Sequence, residues 1–335
     1  MATVRKSDYQ IVALEEHLLT AEIADAWAAV AGPDTARRMS IPGAQPEKLF
    51  DLGRARIADM DDQGVDVQVL SVTTPGVQNL DADRAVPLAA AANDIIAGAV
   101  AEHPDRFDGL AALPTPDPRA AADELRRAVS EKGLLGAMIY GRTAAMHLGD
   151  PAMEPIWAAA AQLRAPVVLH PQTPTAAVRD AYYTGIGPDV DTLFAGPLIG
   201  WHYETGIELL HMIFGGVFDR HPELQVVVGH WGEAVLFYAD RIGSVGALTG
   251  TTQNPFEHYL THNVLVMGSG VFSQRAFRWT REVVGIDRIV YATDYPYIDA
   301  SAGAARRFLD DADLTPDERV QVASGNWDRI TRHLR

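Results

Sequence analysis

Four short apolar runs in this 335-residue chain end in side chains that can hold a metal ion or move a proton. Leu14 is followed by Glu15-Glu16-His17, Leu169 by His170, Gly229 by His230, and Thr293 by Asp294. Carboxylates and imidazoles together form a mixed oxygen and nitrogen donor set. Such a set suits Zn2+, Mn2+ or Fe2+ and is poor for Ca2+. Each residue also has a plainer use. A lone histidine after a strand is more often structural, Asp294 before Tyr295-Pro296 can simply form a turn, and Glu15 can cap the next segment. Four such coincidences together favour a metal centre.

The apolar runs themselves recur at a regular interval. Ile11–Leu14, Val65–Val72, Phe107–Leu113, Leu135–Tyr140, Pro166–Leu169, Gln225–Val228, Asn263–Met267 and Arg288–Ala292 are apolar throughout rather than alternating. That is the pattern of parallel strands buried on both faces. Helical patterns lie between them over Leu52–Gln63, Ala82–Glu102, Pro118–Glu131, Pro151–Arg164, Thr205–Phe218, Ala234–Gly243, Ser273–Val284 and Ala302–Asp311. A last helix, about Thr315–Leu334, closes the bottom or packs on the side. Eight strand–helix units predict an α/β chain folded as one (β/α)8 barrel, a TIM barrel, over residues 1–335. No G-x-G-x-x-G follows the first run, which weakens a dinucleotide-binding sheet. In a barrel the strands' C-terminal ends carry the chemistry. Glu15 and His17, two apart, are expected on one face, with Asp294 beside them where strand eight meets strand one. The stretches Leu18–Lys48 and Pro171–Tyr203 exceed ordinary loop length and are expected to be active-site loops.

Composition narrows the partners. A net charge of −16, with no basic run longer than an arginine pair, argues against a nucleic-acid partner. An anionic substrate therefore needs local positive charge from a metal or an arginine. Cysteine is absent, so thiolate ligands, disulfides and cysteine nucleophiles are excluded. Met1 to Gln10 carries Arg5 and Lys6 but no apolar core of a signal peptide. The longest apolar stretch, Ala85–Val100, is broken by Pro87, Asn93 and Asp94 and is not expected to span a membrane. A cytoplasmic enzyme is the default expectation.

Ala13-Leu14-Glu15-Glu16-His17, His170-Pro171, Gly229-His230-Trp231-Gly232-Glu233 and Thr293-Asp294-Tyr295-Pro296, in that order, resemble the amidohydrolase superfamily. Within it the chain is similar to the branch of γ-resorcylate, 2,3-dihydroxybenzoate and 5-carboxyvanillate decarboxylases. The Glu-x-His opening points to that branch rather than to the aminocarboxymuconate semialdehyde type. Many relatives bridge two metals with a carboxylated lysine. Here the lysines are Lys6, Lys48 and Lys132, none at a strand's end, so a single metal is expected.

The resemblance implies Glu15, His17, His170 and Asp294 as ligands of one divalent cation, Zn2+ or Mn2+. It implies His230 and Glu233 as a dyad beside the substrate, with Arg241 reaching a substrate or neighbouring acidic group. Trp201, Tyr203, Trp231, Tyr295 and Tyr297 are candidates for an aromatic wall, with Trp201 and Tyr297 as substrate contacts, although any one of them alone suits a core as well. The implied reaction is non-oxidative loss of CO2 from an ortho-hydroxy aromatic carboxylate, with Asp294 protonating the ring carbon and a homodimer or homotetramer as the working form. The alternative is a hydrolase of a lactone or amide through metal-activated water, with His230 or Asp294 as base. A third reading is an inactive barrel serving as a binding partner. Tyr182-Tyr183-Thr184, the run Gly196 to His202 and the hydroxyl of Tyr297 depart from the resorcylate pattern and point to a differently substituted ring. His202 reads as an ordinary loop residue with a possible polar contact.

Overall fold

The computed structural model describes residues 8–31 and 45–335. Arg5, Lys6 and the middle of the Leu18–Lys48 segment lie outside the described residues. The strands are β1 (Val12–Leu18), β2 (Val67–Val72), β3 (Phe107–Gly109), β4 (Ala111–Ala112), β5 (Ala137–Tyr140), β6 (Val167–His170), β7 (Val226–Val228) and β8 (Val264–Val266). All pair in parallel, in the orders β1-β2-β3 and β4-β5-β6-β7-β8. β3 and β4 are one barrel strand interrupted at Leu110, whose amide donates to Leu70 O at 2.8 Å. The last strand position, residues 289–292, is held by single bridges, Val266 to Ile289 and Leu14 to Ala292, which close the ring onto β1. The barrel expected from the sequence is therefore present.

Two apolar layers explain why these runs carry no alternation. Val12, Leu14, Val69, Met138, Val168, Val227, Leu265 and Val290 fill the interior, while residues of opposite parity pack beneath the surrounding helices. The C-terminal helix Asn326–Thr331 sends Trp327 and Ile330 into the interior cluster. It plugs the barrel, as one of the two expected placements required.

The helix Ala82–Glu102 has 21 residues and a most apolar window of mean hydropathy 1.3, enough to cross a membrane by length and composition alone. Here it covers the barrel. Ala85, Ala89, Ala92 and Ile96 are buried, and the Asn93 side chain both donates to Ala112 O and accepts from Ala112 N (2.9 and 2.8 Å). The segment after β6 is helical rather than looped, with turns at Ala176–Tyr182 and Pro188–Leu193. The next helix, Gly200–Phe214, begins five residues before its expected start and takes in Trp201 and His202.

Candidate metal centre and its proton relay

The Glu15/His17 pair depends on an irregularity in β1. Ala13 pairs with Gln68 and Glu16 with Leu70, so Leu14 and Glu15 together face Val69. This is a β-bulge, and Glu15 adopts a left-handed φ of 62° to make it. Strict alternation from Val12 and Leu14, both interior, sends His17 outward. The extra residue reverses the parity, so that His17 turns into the mouth while Glu16 points to the helix layer. The two ligand candidates share one side, as their spacing of two requires, and the bulge turns that side into the mouth. His170 ends β6 two residues after interior Val168, and Asp294 follows interior Ala292 by two. Asp294 has φ 61°.

Glu15, His17, His170 and Asp294 offer ligand atoms that all lie within 4.8 Å of one another. His170 Nε2 is 3.2 Å from Glu15 Oε1, and His17 Nε2 is 3.3 Å from Asp294 Oδ1. Neither approach is directed as a hydrogen bond. Glu15 Oε1 and His17 Nε2 are buried with no hydrogen-bond partner among the described residues. His170 Nδ1 donates to the Pro171 carbonyl at 2.7 Å, which leaves Nε2 with its lone pair toward Glu15. Lone pair thus faces lone pair, an arrangement that buried groups avoid and that a divalent cation between them satisfies. The donor set fits a single cation.

Burial pushes the Glu15 carboxyl up, but the imidazoles around it bring it below the ordinary carboxylate range. Burial and neighbouring His170 hold His17 well below its usual range, leaving it neutral and able to coordinate. Burial and the Glu15 carboxylate drive Asp294 well above the ordinary aspartate value. The second oxygen of Glu15 accepts from Ser269 Oγ, which in turn accepts from His230 N at 3.1 Å. Gly229 leaves room for this bridge, since a Cβ there meets Ser269 Oγ at 2.6 Å.

His230 and Glu233 do form a dyad. The strand-end turn carries both in left-handed conformations, φ 48° and 51°, so Glu233 is no ordinary first-turn helix acid. His230 Nδ1 lies 2.7 Å from Glu233 Oε1. Burial raises the Glu233 carboxyl, but the His230 charge and the bonds from His202 and His230 bring it down to about 2. Burial lowers His230, yet Glu233 outweighs it and lifts the imidazole to about 9. Sequence reasoning undervalued His202, whose Nδ1 sits 2.8 Å from the other Glu233 oxygen. It missed Ser269 and the Glu16 network altogether. A serine or an acid pointing outward beside a bulge carries no sequence signal.

The aromatic candidates divide. Trp201 presents its ring edge to His170 with centroids 6.3 Å apart, and Tyr297 does so to His17 at 5.6 Å. Tyr297 donates to or accepts from Thr73 Oγ1 at 2.6 Å, and burial pushes its phenol up to about 12. Tyr295 is core, its hydroxyl on Asp59 and its ring under Arg56. Trp231 packs on Phe277 and Phe308 behind the mouth, and Tyr203 is exposed. Arg241 is exposed on the helix Ala239–Gly246.

Comparison with known proteins gives the class. The model of the amidohydrolase family matches residues 46–329, and the chain belongs to that family. It is 32% identical to the γ-resorcylate decarboxylase of Rhodococcus jostii (strain RHA1) over 83% of this chain and 87% of that one. Among solved structures it is similar to the 5-carboxyvanillate decarboxylase of Novosphingobium aromaticivorans, complexed with manganese and 4-hydroxy-3-methoxy-5-nitrobenzoic acid. The TM-score is 0.88 at 33% identity, covering 97% and 96% of the two chains. A dihydroxybenzoic acid decarboxylase of Polaromonas sp. JS666, with manganese and the inhibitor 2-nitroresorcinol, superposes at TM-score 0.84 with 28% identity and 98% of each chain covered.

Proposed function

We propose that this protein is a metal-dependent carboxy-lyase that removes CO2, without oxidation, from an ortho-hydroxy aromatic carboxylate. One observation carries the reading: Glu15, His17, His170 and Asp294 converge on a single cation-sized point in a chain whose relatives are hydroxybenzoate decarboxylases. The same relatives favour this reading over hydrolysis of a lactone or amide. Manganese in two of them makes Mn2+ the first cation to try, with Zn2+ the second.

Glu15, His17, His170 and Asp294 would hold the cation, which when bound would supply positive charge to offset that of an anionic substrate. Trp201 and Tyr297 present ring edges beside it and orient an aromatic ring. Asp294, protonated at Oδ, gives its proton to the ring carbon that bears the carboxylate. The bond from that carbon to CO2 then breaks, its electron pair restores the aromatic ring, and CO2 leaves. Asp294 remains as a carboxylate, next to the positive charge of His230. Ligation by the cation opposes protonation of Asp294, so this role requires the burial and the Glu15 carboxylate that raise it to outweigh the cation's pull.

The exposed ring of Phe237 meets those of Tyr238 and Trp279, with centroids 4.9 and 5.1 Å apart. Phe237 and Tyr238 directly precede the helix of Arg241, and the exposed rings support assembly of copies through this face. A monomeric solution mass, unchanged by Phe237→Glu, removes that part of the proposal.

The function is tested by loading the protein with Mn2+ or Zn2+ and measuring CO2 release over a panel of ortho-hydroxybenzoates. Release from one member, lost in Asp294→Asn, is expected. Absence of release from every member with cation bound, or a ring-opened acid from a lactone, overturns it.

A further inference from the structure

We propose that His202 is a positioning residue: it clamps Glu233 from the side opposite His230 and thereby ties the segment after β6 to the proton relay. Glu233 is held between two imidazoles, Oε1 at 2.7 Å from His230 Nδ1 and Oε2 at 2.8 Å from His202 Nδ1. The two rings also meet edge to face, 4.5 Å apart.

The helix Gly200–Phe214 is built for this contact. His202 and Gly206 are one turn apart on the same helix face. A Cβ at Gly206 meets the Glu233 carbonyl at 2.4 Å, so only glycine lets the helix lie this close to the Glu233 backbone. That approach brings His202 over the Glu233 carboxylate. Gly200 plays the same part at the helix start, where a Cβ meets Ala195 O at 2.3 Å.

The hydrogen-bond directions follow from chemistry. An ionised Glu233 only accepts, so both Nδ1 atoms facing it carry protons. His202 Nε2 lies 3.1 Å from Trp201 Nε1–H, which donates to the neutral ring, and 3.1 Å from the Pro197 carbonyl, which accepts from the cationic ring. In either form Nδ1 donates to Glu233, as His230 does from the other side, and Nε2 holds the ring to the segment that carries Trp201. Trp201 is the ring that faces His170. A lid residue at the substrate wall and the imidazole beside Asp294 thus share one carboxylate, and displacing His202 disturbs both.

The inference deepens the decarboxylase reading, but its first measurement stands apart from it. In 15N-labelled, metal-loaded protein, ring-nitrogen NMR is expected to show His202 and His230 both protonated at Nδ1. A neutral His202 with a bare Nδ1 overturns the proposal even if no substrate has been found. In turnover, His202→Phe keeps the ring volume without a donor, whereas His202→Asn keeps a donor near the Nδ1 position. Phe is expected to lower kcat by about 10- to 100-fold with little change in KM, and to move the alkaline limb of kcat upward as Glu233 turns wholly to His230. Asn is expected to restore most of the loss. An unchanged kcat and pH profile in the Phe variant, or Asn no better than Phe with metal content intact, overturns it.

Discussion

Glu16 accepts from Thr293 twice, from its amide at 2.8 Å and its hydroxyl at 2.7 Å, so one buried carboxylate fastens β1 to the residue before Asp294. Gln68 Nε2 adds a third bond at 3.0 Å, and Arg56 links Gln68 to the His17 carbonyl (2.7 and 2.8 Å). The network lies on the helix side of β1 while Glu15 and His17 lie in the mouth. It sets the spacing of the ligands without touching the cation.

Glu16→Gln keeps the shape but turns an amide NH2 toward either the Thr293 amide or the Gln68 Nε2 group, neither of which accepts. An unpaired buried donor costs about 1–3 kcal/mol, so a loss of roughly 2 kcal/mol is expected in thermal or urea unfolding. An unfolding midpoint equal to that of the parent protein removes Glu16 from this role.

Ser269→Ala takes away the bridge between Glu15 and the His230 amide. Partners one layer behind a metal's ligands typically matter by about 10- to 100-fold in affinity. Competition with a chelating dye should show weakening in that range for Mn2+ while secondary structure stays the same. Equal affinity speaks against the bridge.

Asp294→Asn retains a ligand oxygen but no transferable carboxyl proton. Decarboxylation is expected to fall by about 10²–10⁴-fold, the usual reach of a positioned acid, with bound cation still present by elemental analysis. Near-parental turnover at full metal content assigns the proton to another group.

The His230/Glu233 pair gives a pH signature. His230 rises from 6.5 to about 9 in the fold, so its contribution to stability is complete below 6.5 and is lost as pH climbs through 9. Glu233 falls from 4.5 to about 2, so its contribution is complete above 4.5 and is lost as pH drops through 2. Both are present together between 4.5 and 6.5, and the thermal midpoint should be highest there and decline toward pH 9. His230→Gln should flatten the alkaline decline, and a decline of unchanged slope in that variant assigns it elsewhere.

Much of this was readable from the chain because parallel barrel strands announce themselves twice, as apolar runs and as polar residues at their ends. His170 and Asp294 follow their strands in regular alternation, so counting along the sequence finds them. The shared side of Glu15 and His17 follows from their spacing of two, but its inward direction depends on a bulge, which leaves no mark in residue type. His202 was underrated for a different reason. Its partner is 31 residues away, and the early start of its helix hinges on close approaches at Gly200 and Gly206 that only coordinates reveal. Tyr295 and Trp231 were overvalued because aromatic type says nothing about which side of a strand end a ring takes.

The bulge at Glu15 acts as a frame shift in space. Residues before it are read with one parity and residues after it with the other, and the extra residue is what lets both halves keep their partners on β2. A one-residue deletion that removes Glu15 therefore restores ordinary alternation, with Glu16 still opposite Leu70 under the helices and His17 still opposite Ser71 in the mouth. Such a shortened chain should keep its barrel and both imidazoles but lose one carboxylate from the site. Its choice of metal should move toward ions that prefer nitrogen.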